Sequence, residues 1–128
     1  MPLWTFKCFL SQANQDLFDL WYGAQSDAAK AKLDVIVEHF RDKPHTKWGG
    51  NYFFPLTGYS GIFEIKFRVA NVLYRPLGCF GPDRMDFTFL IGANEQGDEF
   101  VPLNAPEIAT QRMAVIKADR NRAHECDF

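Results

Sequence analysis

Between residues 62 and 91 the chain becomes a run of alternating apolar and polar side chains, and that alternation limits the fold more than any other feature. Phe63, Ile65, Phe67 and Val69 are interleaved with Glu64, Lys66 and Arg68. A strand turns successive side chains to opposite faces, so this segment must bury one face and leave the other charged. Two more strand-like runs follow over 72–77 and 85–91, separated by Ala70-Asn71 and by the breaker-rich stretch 78–84. Links that short predict an antiparallel meander. In the third run Met85, Phe87, Phe89 and Ile91 alternate less cleanly with Asp86, Thr88 and Leu90.

Upstream, Leu33, Ile36, Val37 and Phe40 recur at helical spacing, which predicts an amphipathic helix over 27–41 with Ser26 as its cap. A shorter helix should precede it, with Asn14 as cap, Leu17, Phe18 and Trp21 on one face, and Gly23 ending it. The few residues between the two helices predict a hairpin lying against one side of the sheet. The aromatic stretch 3–10 suits a first strand. Over 43–61 there are too many Gly and Pro residues for a regular element, so Trp48, Tyr52, Phe53, Phe54 and Tyr59 are expected to anchor a long loop. After an acidic loop over 92–99 and a short run over 100–103, a last helix should start near 104–106. Ala109, Met113 and Ile116 give it an apolar face, and the helix should fray before the polar tail over 120–128.

At 128 residues, with 47% hydrophobic and 16% aromatic side chains, the chain has enough material for one core, and a single α/β (α+β) domain over 1–128 is expected. A net charge of −2 argues against coating nucleic acid by bulk electrostatics. The charge is uneven, however. Arg41, Lys43, Lys47, Lys66, Arg68 and Arg75 face only Asp42 and Glu64 across 41–75. Cys8, Cys79 and Cys126 are widely spaced and odd in number, which reads as three free thiols in the cytoplasm. No stretch is apolar enough to span a membrane. His39, His45 and His124 lack metal-ligand spacing and are expected at the surface or as caps, and Cys79 as a small buried hydrophobe.

Gly61-Ile62-Phe63-Glu64-Ile65-Lys66, the Tyr74-Arg75 pair that follows, and Pro106-Glu107-Ile108-Ala109 with Arg112 resemble the RelE/ParE family of type II toxins, in its phage-derived, HigB-like branch. The resemblance covers about 33–118. It implies a strand and helical hairpin on a meander sheet, closed by a C-terminal helix. It also implies an endoribonuclease that cuts mRNA, free or on the ribosome, and a cognate antitoxin covering the cationic side of the sheet. In that chemistry a 2′-hydroxyl attacks the adjacent phosphate, so a base, cations and an acid suffice, with no metal or cofactor. The matching positions make Lys66 and Arg75 the phosphate ligands and Glu64 the base, with Arg68, Arg84 and Lys47 contacting RNA. One departure is plain: where the branch carries a lysine pair after the last meander strand, this chain reads Leu90-Ile91-Gly92-Ala93-Asn94-Glu95. Two alternatives stay open, a protein-binding module of the same fold with its catalysis lost and a phage-associated accessory protein.

Overall fold

In the computed structural model, which describes residues 3–127, the helix over 27–41 forms across the predicted span. The side chain of Ser26 accepts the amide N–H of Ala29 at 3.1 Å, and Leu33, Ile36, Val37 and Phe40 are all buried. The shorter helix begins differently from expectation. Asp16, not Asn14, accepts the first free amide, that of Asp19 at 2.8 Å, while Asn14 sits at φ +61° in the preceding turn. Asparagine tolerates that left-handed geometry better than most residues.

The elements run β1 (Thr5–Phe9), α1 (Leu17–Gly23), α2 (Asp27–Arg41), β2 (Phe53–Pro55), β3 (Phe63–Ile65), β4 (Phe67–Val69), β5 (Val72–Tyr74), β6 (Leu77–Phe80), β7 (Asp86–Ile91), β8 (Asn94–Gln96), β9 (Glu99–Val101), α3 (Ala105–Ala118) and β10 (Ala123–Glu125). The protein is therefore α+β. A mixed six-stranded sheet has the order β10-β1-β7-β6-β3-β2, with β1 parallel to β7, and a four-stranded antiparallel sheet has the order β4-β5-β8-β9.

Two sheets arise because the first two meander strands each break. The first breaks at Lys66 and the second at Arg75-Pro76. Proline has no N–H to give to a ladder and restricts the residue before it. Around the break the backbone bonds are re-aimed. Lys66 N–H donates to Tyr52 O at 2.8 Å, Ile65 N–H to Pro76 O at 3.0 Å, and Arg75 N–H to Ala93 O at 2.8 Å. One hairpin thus starts in the larger sheet and ends in the smaller, closing at Ala70 and Asn71, both at positive φ as a two-residue hairpin turn requires. The stretch expected as an acidic loop is also a hairpin, β8 against β9, turning at Gly97 and Asp98.

The large sheet is covered on both faces. One face carries Phe6, Ile65, Phe87 and Phe89 under α1 and α2. The other carries Ile62, Leu77, Cys79 and Leu90 under Ala105, Ala109 and Ile116 of α3. All six residues of β7 are consequently buried, including Asp86 and Thr88, which alternation alone places on a polar face. Both are satisfied: Asp86 pairs with Lys7 at 3.0 Å, and the Thr88 hydroxyl donates to Gly81 O at 2.6 Å. Trp48 anchors its loop as expected, stacked on Phe40 at 4.8 Å and donating its indole N–H to Phe40 O at 2.8 Å.

The last helix ends at Ala118, before the polar tail, and the segment that follows is tied to the sheet. β10 pairs antiparallel with β1, His124 lies 2.6 Å from Asp16, and Cys126 is joined to Cys8 in a disulfide. Two of the three cysteines are therefore not free thiols, and only Cys79 is. Odd counting and wide spacing misled because Cys126, just past β10, is brought against Cys8 of the neighbouring β1 although 118 residues separate them. Phe128, the last residue of the expected tail, lies outside the described residues. None of the described helices is long and apolar enough to cross a membrane.

Candidate functional site

The break in the hairpin gathers the charged side chains. Glu64 enters from β3, Arg75 from the link between β5 and β6, Glu95 from β8 and Phe100 from β9. The Arg75 Nε–H donates to Glu64 Oε2 at 2.8 Å and an NH1 hydrogen to Glu95 Oε1 at 3.0 Å. The Phe100 ring centroid lies 3.9 Å from the guanidinium carbon. Their exposures show how closed this cluster is: 14% for the Arg75 side chain, 8% for Glu64 and 18% for Glu95. Charge-assisted bonds from a planar fork to two carboxylates are strong and directional, and a facing ring adds cation–π attraction. Glu64 is thus an enclosed partner of a cross-strand arginine rather than a member of a solvated face.

Lys66 points elsewhere. With Arg68 it lines an open cleft of about 480 Å³ that also includes Tyr52, Phe54, Leu73 and Glu95. Glu64 and Arg75 open instead onto a second cleft of about 450 Å³, among Asp98, Glu99, Glu107 and Tyr59. In that second cleft the Tyr59 hydroxyl donates to the Glu107 carboxylate, which raises the Tyr59 pKa above its ordinary value. Arg84 lines a third cleft beside His45, and Lys47 is exposed on the single turn that carries His45. The six residues singled out from the sequence therefore divide three ways: Lys66 with Arg68, Glu64 with Arg75, and Arg84 on the corner that Lys47 flanks.

Lys66, Arg68, Arg84 and Lys47 make no ion pair among the described residues, whereas Arg75 makes two. A phosphate approaching Arg75 meets two carboxylates first. Glu95 and Phe100 were not singled out from the sequence, and both matter here. Their signal was Gly97-Asp98, a residue pair suited to a two-residue hairpin turn, which places Glu95 opposite Phe100. Arg112, on α3, donates to Leu90 O at 2.9 Å and faces the Phe9 ring, so it fastens the helix to the sheet. Among the described residues no group of His, Cys, Asp and Glu is arranged to hold a metal ion.

No protein-family model, curated protein or solved structure matches the chain.

Proposed function

We propose that this protein is the toxin-type member of a type II toxin–antitoxin pair, with the cleft of Lys66 and Arg68 as its RNA-facing surface. The observation that carries this reading is that two cations without an ion pair among the described residues share one cleft with Tyr52 and Phe54. Single-stranded RNA is held in that way, phosphates on cations and bases on aromatic faces. The order of first strand, helical pair, antiparallel strands and final helix is the order that the sequence resemblance implies, which supports the same reading.

For cleavage, Lys66 and Arg68 supply charge to the phosphorane that forms when the 2′-hydroxyl attacks. Glu95 is the carboxylate that lines their cleft, so it takes the role of base assigned from the sequence to Glu64. Arg75 becomes a positioning residue that fixes Glu95. A second reading, binding without cleavage, is favoured by the occupation of Arg75 and by the missing lysine pair after β7. Induced expression in cells without the antitoxin, with mRNA 5′ ends mapped, separates the two. New ends that vanish in Lys66→Ala and Glu95→Gln support cleavage. Growth arrest without new ends supports binding alone, and normal growth with no RNA retained on the protein removes both.

A further inference from the structure

The corner that carries Arg84 presents a surface that the RNA reading does not use. Here the end of α2, the single turn His45–Lys47, the start of β1 and the link between β6 and β7 meet around an open cleft of about 540 Å³. Its floor is a packed set of rings. His45 lies 5.0 Å from Phe80 and 6.0 Å from Trp4, and Trp4 lies 5.3 Å from Phe80. Its walls include Leu3 and Met85, which are 43% and 39% exposed.

These apolar side chains are not on a loose end. Leu3 N–H donates to Arg41 O at 2.8 Å, Trp4 N–H to the same oxygen at 3.1 Å, and Thr5 N–H to Met85 O at 3.0 Å. The Trp4 indole N–H donates to Lys43 O at 2.9 Å. Exposed apolar groups fixed on a rigid frame lose little entropy when a partner covers them. The cleft lining includes Arg84 and no carboxylate, and Lys47 stands exposed on the adjoining turn. An apolar floor with a cationic rim complements an apolar side chain flanked by carboxylates. RNA fits poorly, because the lining carries a single full cation for phosphate. A small ligand fits poorly too, because the cleft is open where such sites enclose most of their occupant.

We infer that this cleft docks an acidic protein segment that inserts one or two large apolar side chains over Trp4, His45 and Phe80 and sets carboxylates against Arg84 and Lys47. The site is separate from the Lys66 cleft, with which it shares no lining residue.

The test uses two synthetic probes, an amphipathic peptide with Leu and Phe at helical spacing among Asp and Glu, and the same peptide with Lys at every acidic position. Binding to the full chain is followed by amide chemical-shift changes. The acidic peptide should shift residues of this corner. Its affinity should fall about tenfold or more in Arg84→Glu and in Met85→Asp, and stay unchanged in Lys66→Ala. Both altered residues are exposed, so unchanged thermal melts will show that the fold is intact, and Arg84→Gln serves as a milder second variant. Equal binding of the basic peptide, binding indifferent to Arg84 and Met85, or no shift at millimolar peptide would overturn the inference. So would a dimer in solution that dissociates in Met85→Asp, because the occupant would then be a second copy of this chain.

Discussion

Replacing Arg75 by Met should destabilise the protein severely, because the guanidinium is a strut between sheets before it is anything else. Methionine keeps much of the aliphatic volume and removes the charge. Two carboxylates then lose their cation, and they lose it unequally. The Glu64 side chain is only 8% exposed, so its charge has almost no water to turn to, whereas Glu95 at 18% retains some. Breaking an enclosed ion pair by deleting one partner costs ~3–5 kcal/mol, and Glu64 falls in that regime. Loss of the Phe100 contact adds ~0.5–1 kcal/mol. An arginine held at the surface only to meet a ligand would cost within about 0.5 kcal/mol. The two cases are therefore well separated. Urea denaturation of the wild type, Arg75→Met, Glu64→Gln and the double variant completes the test. The double variant should be more stable than Arg75→Met, since only the more exposed Glu95 is then left without its cation, and the coupling between the two sites should be about 2–3 kcal/mol. If Arg75→Met unfolds at the wild-type midpoint, or the two substitutions simply add, the strut is refuted.

Three further outcomes follow from the packing. Phe67→Ala should cost ~3–5 kcal/mol in a thermal or urea melt, because the ring is 3% exposed and stacked on Tyr74 at 5.0 Å. Reducing Cys8–Cys126 should lower stability by ~4–5 kcal/mol, the loop-closure value for a span of more than a hundred residues, read as the difference in urea midpoint with and without reductant. Burial pushes the Cys79 thiol up from 9.0 to about 12, so it should resist a thiol reagent at pH 8 until the chain is unfolded. The raised folded value also means that its stabilising contribution holds below pH 9 and disappears between pH 9 and about 12, where the unfolded thiol ionises first.

How far the sequence could be read depended on whether the relevant force was local. α2 was legible because periodicity and a serine cap act within one turn of the chain, and the burial of Ile65 and Phe67 was legible because alternation does too, although Phe63 is only partly buried and Phe67 falls in the smaller sheet. The division into two sheets was half legible. Pro76 announced a break in the second run, but nothing at Lys66 announced the matching break in the first, which is imposed by the partner strand. Burial of Asp86 and Thr88 depends on α3 folding back over β7, and the β1–β10 pairing depends on chain ends meeting. Neither long-range contact leaves a local mark. The same limit applied to the candidate site. Equal spacing put Glu64, Lys66 and Arg68 on one face, yet the strand break sends Glu64 into one cleft and Lys66 with Arg68 into another.

The most direct measurement is the binding of a labelled single-stranded RNA to the intact protein across a salt series, by fluorescence anisotropy, for the wild type and the Lys66→Ala, Arg68→Ala double variant. Each cation that neutralises a phosphate contributes about 0.7 to the slope of log affinity against log salt for a single strand. The wild type should bind with a measurable salt slope, and the double variant should bind more weakly at every salt concentration with a slope lower by about 1.4. Equal affinity and equal slope in the two proteins would contradict an RNA-facing cleft at Lys66 and Arg68.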